Sequence, residues 1–173
     1  MRIALTMSLL ACTASAVGAQ GVRIRLAAQT EPVLLDTLRQ NNDLAAPPAK
    51  VYEATLKAFA ALGIPVGNTS STTGVIGSER FERIRTLNGA LLSKSFDCGE
   101  GPAGPKADLY RLEIAIAVYV SPTPSGGRGT LLGIAIVAEG RDPTGPYPNP
   151  RECSSTGALE HKIVEKITQL AGT

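Results

Sequence analysis

Few side chains in this sequence could do nucleophilic or metal chemistry: the cysteines Cys98 and Cys153 and the single histidine, His161. A cysteine beside a histidine can act as a nucleophile, because the imidazole accepts the thiol proton. The same three residues with a carboxylate could hold zinc, although they lack the close ligand pair typical of zinc sites. In an oxidising compartment a disulfide between the cysteines competes with both arrangements, and we expect the disulfide.

Other sequence patterns that would support catalysis are absent or out of context. The run from Gly99 to Gly104 matches the G-x-G-x-x-G spacing of a dinucleotide-binding loop, but that loop opens a helix, whereas prolines interrupt this run and a strand follows. One histidine cannot form an H-E-x-x-H motif, and neither a G-x-S-x-G elbow nor an S-x-x-K motif occurs. We therefore expect no enzymatic activity, and no catalytic, cofactor-binding or metal-ligating residue.

The composition and charge are those of a globular domain. The 173 residues are 43% hydrophobic and 18% charged, which is ordinary for globular proteins. The formal net charge of +2 carries none of the clustered basic excess that marks nucleic-acid-binding domains. We expect a single domain over residues 20–173 and no nucleic-acid partner.

The first residues have the pattern of a secretory signal peptide. A single positive charge precedes an uncharged run of apolar and small residues from Ile3 to Ala16, and small residues precede the bond between Ala19 and Gln20. We predict cleavage there, which leaves a chain exported to the periplasm or beyond, without a transmembrane span. Two alternatives stay open. The run could be a membrane anchor, although an anchor needs about 20 apolar residues, and Leu9–Cys12 resembles a lipobox with Cys12 as the acylated residue.

Hydrophobic periodicity predicts two strands, a loop and a helix in the first part of the exported chain. Alternating residues predict strands over Val22–Leu26 and Val33–Leu38, and the Asn- and Pro-containing segment Gln40–Pro48 is typical of a loop. A helix is expected from Ala49, and Gly63 stands where that helix should end.

The following segment predicts an irregular edge strand. Ile64–Val66 predicts a short strand, Gly67–Thr73 is typical of a turn, and Val75–Ile84 predicts a strand whose mixed parity indicates a bulge. The alternating charges of Glu79–Arg85 are typical of an exposed sheet edge. A clamp for a ligand carboxylate is the alternative interpretation of its arginines, Arg80, Arg83 and Arg85.

The strongest periodicity predicts a long antiparallel hairpin between Asp108 and Arg141. The first strand places apolar residues at every even position from Tyr110 to Val120, and the second does so from Leu132 to Ala138. We expect this even face to pack against helices. The opposite face is also small or apolar, and we interpret it as a candidate interaction face unless the N-terminal strands or a loop cover it. Its residues are Ala115, Ala117, Tyr119, Leu131, Ala135 and Val137.

The hairpin also predicts a disulfide. Cys98 precedes its first strand and Cys153 follows its second, so antiparallel pairing brings these two positions together. Once cleavage removes Cys12, Cys98 and Cys153 are the two cysteines left in an exported chain. We therefore predict a disulfide between Cys98 and Cys153.

An amphipathic helix is the last predicted element, with Ser155 or Thr156 as its N-cap. The order β-β-α-β-β-β-β-α gives an α+β fold, in which an antiparallel sheet carries two amphipathic helices on one face. The predicted apolar stripe of the last helix consists of Leu159, Ile163, Ile167 and Leu170.

This element order resembles the helix-grip fold. From about Ala49 to Leu170 it is similar to a domain of the lipoprotein C subunit of the outer-membrane barrel-assembly machinery, and the motifs Phe96–Gly99 and Cys153–Glu160 resemble a pattern shared by exported bacterial proteins of unassigned activity. We expect a non-catalytic envelope protein with a binding or structural accessory role and a protein or lipid partner. The alternative is a binder of small molecules or lipids that uses a groove between helix and sheet.

Overall fold

The part of the chain described by the computed structural model comprises residues 23–24, 33–34, 40–124, 127–144 and 150–172. The predicted signal peptide and its cleavage site at Ala19 and Gln20 lie outside these residues. Among the described helices, none is both long and apolar enough to span a membrane.

Strands and helices are mixed along the described residues, which confirms the predicted α+β fold class. In chain order the elements are β1 (Arg23–Ile24), β2 (Val33–Leu34), β3 (Gln40–Leu44), α1 (Pro48–Ala61), β4 (Asn68–Ser70), β5 (Val75–Ile84), β6 (Thr86–Leu87), β7 (Ala90–Leu91), a 3-10 helix (Leu92–Lys94), β8 (Phe96–Asp97), β9 (Glu100–Gly101), β10 (Gly104–Pro105), α2 (Lys106–Leu109), β11 (Arg111–Pro122), β12 (Thr130–Arg141), β13 (Arg151–Ser155) and α3 (Ala158–Ala171).

The main sheet is antiparallel and is built around the predicted hairpin. Its strands are ordered β4-β5-β11-β12-β13-β8, and β3 also pairs with β12. β11 and β12 pair along their whole length, from Arg111 opposite Arg141 to Pro122 opposite Thr130. The pairs β1–β2, β6–β7 and β9–β10 form separate two-stranded ribbons.

The core lies between the even face of the hairpin and the two long helices. Ile114, Ile116 and Ile134 on the hairpin belong to one buried cluster with Phe59 of α1 and Ile163 of α3. Each of these side chains is at most 1% exposed. Burying a side chain of this size stabilises a fold by about 1.5–3 kcal/mol. Packing against this face therefore holds both helices on the sheet, and the predicted core face is confirmed.

α1 begins and ends at signals that the sequence carries. Pro47 and Pro48 occupy the N-cap and the first helical position, where the fixed φ of proline suits the helix and its missing N–H leaves no bond unmade. Gly63 follows the helix with a φ of 66°, a conformation that strains other residues. The N–H of Ile64 then donates to the carbonyl of Phe59 and closes the helix end.

β5 contains the predicted bulge. Its register with β11 shifts between Phe81 and Ser78, so that Glu79 and Arg80 together stand opposite the single residue Ala115. The extra residue has a positive φ, 22° at Arg80. The bulge therefore changes the face of the sheet on which the Arg80 side chain lies.

Three local predictions before β5 are wrong, and long-range pairing explains two of them. The predicted loop Gln40–Pro48 contains β3, which pairs with β12, and the predicted turn Gly67–Thr73 contains β4, which pairs with β5. Ile64–Val66, predicted as a strand, has no regular structure. Hydrogen bonds to a neighbouring strand satisfy the backbone groups of β3 and β4, and this gain outweighs the low strand propensity of their asparagines.

The predicted boundaries of the last helix also need correction. α3 has Gly157 at its N-cap with a φ of 84°, not Ser155 or Thr156. The hydroxyls of Ser155 and Thr156 instead stabilise the turn that leads into the helix. They accept hydrogen bonds from the backbone N–H groups of Gly157 and Ala158, respectively. Leu170 is 39% exposed and lies outside the apolar stripe, which Ala171 completes four residues after Ile167.

Candidate functional site

The structure joins the two predicted cysteines in a disulfide. Cys98 and Cys153 have Cα atoms 4.3 Å apart and are 3% and 4% exposed. Cys98 directly follows β8 and Cys153 lies within β13, and these strands pair through Ser154 opposite Asp97. The bond therefore crosslinks two neighbouring strands beside the long hairpin, as the sequence predicts.

The disulfide has a direct consequence for the chemistry of the site. A disulfide sulfur is neither a thiolate nucleophile nor a zinc ligand. While the bond is intact, neither cysteine can form a nucleophilic pair with His161 or bind zinc together with it. His161 is exposed on α3, and its backbone N–H donates to the carbonyl of Gly157 at the start of the helix. Among the described residues, no group of three or more His, Cys, Asp or Glu side chains is placed to hold a metal ion.

The candidate interaction face lies on the side of the sheet opposite the helices, which we call the back face. Ala115 pairs with Val137 and Ala117 with Ala135, while Tyr119 and Leu131 lie further along the same face. Ala115, Ala117 and Ala135 are at most 1% exposed, and Tyr119 is 9% exposed. Leu131 and Val137 are partly buried.

Four of these six residues have buried side chains. An interaction role for Ala115, Ala117, Tyr119 and Ala135 stays a prediction, and it requires a partner to displace what covers them. The alternative is cover of this face by the N-terminal strands or a loop. Most of the N-terminal segment named in that alternative lies outside the described residues, and for Leu131 and Val137 an interaction role stays a prediction.

A network of charged residues borders the back face. Glu113 and Glu139 stand directly opposite each other on β11 and β12, and their side chains are 14% and 0% exposed. Arg141 contacts both carboxylates, at 3.3 Å and 3.2 Å. Arg80 also contacts both, at 3.2 Å and 3.8 Å, because the bulge in β5 places it there. Two guanidinium groups thus offset the repulsion between two adjacent carboxylates.

The contacts of Arg80 and Arg83 bear on the alternative that these arginines and Arg85 clamp a ligand carboxylate. Arg80 pairs with glutamates of its own chain, and Arg83 donates to the carbonyl of Gly63 and stacks on Phe81. Arg85 is exposed and follows the end of β5, with a φ of 65°. Glu113 and Glu139 were not predicted as a pair, although the register of the predicted hairpin sets these two positions opposite each other.

A groove runs along α3 on the opposite side of the molecule, and we call it the basic groove. It consists of two adjoining cavities, of about 280 Å³ and 110 Å³, which share Leu62, Asn88 and Lys162 as lining residues. α3 forms one wall, and the end of α1, the β6–β7 ribbon and the 3-10 helix form the other. The remaining lining residues are Ala61, Leu87, Ala90, Lys94, Ser95, Ala158, Leu159, Glu165, Lys166 and Gln169.

Local sequence explains both walls of the basic groove. Asn88 and Gly89 turn the β6–β7 ribbon with φ angles of 50° and 76°, the conformation that an Asn-Gly pair adopts in a two-residue hairpin turn. Lys162 and Lys166 are four residues apart on α3 and therefore lie on the same side of the helix. The Asn-Gly pair and the lysine spacing can both be recognised in the sequence. That they line the same groove depends on the tertiary fold.

The basic groove carries positive charge that the described residues do not neutralise. Lys94 is exposed, Lys162 and Lys166 are half-buried, and no ion pair among the described residues involves these three lysines. Lys166 donates to the side-chain oxygen of Gln169 at 2.9 Å. Glu165 is the single acidic residue that lines the groove. The groove is therefore suited to a ligand with negative charge.

A third cavity, of about 310 Å³, lies at the first turn of α1. Tyr52 and Val120 supply apolar surface there, and Glu53 supplies the one charged side chain of its lining. Between the helices and the sheet, by contrast, large side chains such as Phe59 and Ile116 are fully buried and fill the interface. The described cavities thus lie at the two ends of α1 and along α3, not between the helices and the sheet.

A scan against protein-family models and a search of the curated proteins find no match to this chain.

Proposed function

We propose that this chain is a non-catalytic protein of the cell envelope, exported by its signal peptide, which binds a protein partner in the basic groove. The observation that carries the proposal is the concave groove itself, with three lysines around a floor of leucines and no carboxylate of the described residues paired to those lysines. Concave sites with an apolar floor and a few polar groups are the usual form of binding sites in proteins.

Export is supported by two independent features. The first residues have the composition of a signal peptide, with cleavage expected between Ala19 and Gln20. The disulfide between Cys98 and Cys153 is of the kind that persists in the periplasm or outside the cell and is rare in the cytosol. Intact mass of the exported protein tests the start of the chain, since acylation at Cys12 gives a different mass.

The architecture suits an accessory role in the envelope. Two helices on one face of an antiparallel sheet are the arrangement that the helix-grip resemblance implies, and we keep kinship with the lipoprotein C subunit of the barrel-assembly machinery as a proposal. The alternative function is binding of a small molecule or lipid. The cavity beside Tyr52 and Val120 would be its site, because buried side chains fill the space between helices and sheet.

A comparative affinity capture tests the proposed function. The exported protein and its Lys162→Glu and Lys57→Glu variants are used to capture crosslinked partners from native envelopes. Lys57 is exposed on α1 and lines no described cavity, so its variant matches the charge change outside the groove. We expect one protein that the parent and Lys57→Glu capture and Lys162→Glu loses. Equal recovery by the parent and both variants, or recovery of lipid alone, contradicts the proposal.

A further inference from the structure

We infer that the partner segment recognised by the basic groove is an extended acidic peptide with an apolar residue between carboxylates. This inference rests on the proposed function and names the chemistry of the partner. Lys94 projects from the wall of the 3-10 helix, while Lys162 and Lys166 project from α3. Positive charge therefore lies on both sides of the groove, where it can meet carboxylates on both sides of a bound chain.

The floor of the groove specifies the apolar part of the ligand. Leu62, Leu87 and Leu159 line it and are 3%, 6% and 4% exposed. The smaller cavity, of about 110 Å³, has the size for one aliphatic side chain above these leucines. Burying such a side chain contributes about 1.5–3 kcal/mol. The floor thus favours a leucine-like residue over a wholly charged ligand.

The length of the groove fits a peptide. Its lining on α3 extends from Ala158 to Gln169, which at 1.5 Å per residue is about 16 Å. An extended chain covers that distance in about five residues. Asn88, Ser95 and Gln169 add amide and hydroxyl groups along the walls, which can bond the main chain of a peptide.

Charge distribution sets the groove apart from the back face. The arginines of the back face contact glutamates of the same chain: Arg111 is 3.5 Å from Glu82, and Arg80 and Arg141 contact the buried pair. An acidic peptide gains little from charges that are already neutralised. The groove lysines have no such partner among the described residues, so a ligand carboxylate meets an uncompensated charge.

Its shape favours a peptide over an anionic membrane. A protein that binds a membrane surface places apolar side chains outward beside its basic residues. The large apolar residues that are exposed in the described part of the chain do not line the basic groove: Val66, Ile84, Leu91, Leu109 and Leu170. The leucines of the groove are buried at its floor, where a flat bilayer cannot reach them.

Fluorescence anisotropy with synthetic peptides tests this inference on the full exported protein. The probe is a short labelled peptide that carries a leucine between two pairs of glutamates. One control peptide replaces the glutamates by glutamines, and a second replaces the leucine by serine. We expect both replacements to weaken binding. We expect Lys162→Glu to raise Kd about tenfold or more and Lys57→Glu to leave it nearly unchanged. Raising the salt concentration should weaken binding of the acidic peptide, because salt screens the attraction between its carboxylates and the lysines.

Further controls separate folding and other anions from the result. Circular dichroism melts of each variant report folding, and Lys162→Gln, which removes the charge without reversing it, should give an intermediate Kd. Equal binding of the glutamate and glutamine peptides overturns the inference, as does binding that Lys162→Glu leaves unchanged. Binding of inorganic phosphate or of phosphatidylglycerol vesicles without binding of the peptide also overturns it. If the peptide fails while envelope capture depends on Lys162, the acidic segment is wrong and the proposed function stands.

Discussion

Removal of the Cys98–Cys153 disulfide should destabilise the domain by a large and calculable amount. The two cysteines are 55 positions apart in sequence, and the chain-entropy relation for a loop of that size gives ~4 kcal/mol. β8 and β13, which the bond joins, pair over two residues, and a ribbon this short supplies little stability without the crosslink. For a domain of this size, ~4 kcal/mol corresponds to a fall in Tm of about 10 °C.

Differential scanning calorimetry of the double variant Cys98→Ala/Cys153→Ala measures this effect directly. Alanine at both positions removes the bond without leaving free thiols, and thiol titration of the unfolded, unreduced parent should find no reactive cysteine. The hairpin β11–β12 lies inside the closed loop and should stay folded below the lowered Tm. A double variant with the Tm of the parent, or a parent with two titratable thiols, would refute the reasoning.

Two pairs of substitutions test the buried ion pair and the close packing of β11. Arg141→Met should cost about 1.5–3 kcal/mol, because it removes one of the two guanidinium groups that contact the fully buried Glu139 while Arg80 remains. Arg111→Met, at an exposed ion pair, should cost at most about 1 kcal/mol, and equal urea midpoints contradict this. Gly74→Ala places a Cβ 2.0 Å from a carbonyl oxygen of β11 at a φ of 69°, whereas Gly89→Ala has a similar φ and open space. Gly74→Ala should therefore lower Tm more, and equal melts would show that β11 shifts freely.

Much of the fold follows from periodicity within single elements. The even positions from Tyr110 to Val120 predicted the buried face of the hairpin, and the mixed parity of Val75–Ile84 predicted the bulge, since both depend on neighbouring residues. β3 and β4 were missed because their residues are poor strand formers, and their strand geometry comes from distant partners.

The site was harder to predict than the fold. The disulfide followed from hairpin topology and the cysteine count. The basic groove did not, because Leu62, Asn88 and Lys162 come from three separate elements that only packing brings together. The back face was predicted to be apolar, but the sequence of the hairpin carries no information on whether another segment covers it. The contact of Arg80 with Glu139 depends on the bulge and on the register of two strand pairs at once.

Site-specific photo-crosslinking in cells tests most directly the claim that the basic groove binds a protein. A photoreactive residue replaces Gln169, which lines the groove on α3, or Lys57, which is exposed on α1 outside it. We predict a crosslink from position 169 to a protein segment rich in acidic residues, its loss when Lys162→Glu is added, and no such product from position 57. Equal products from both positions, crosslinks to lipid alone, or a crosslink that survives Lys162→Glu would contradict the claim.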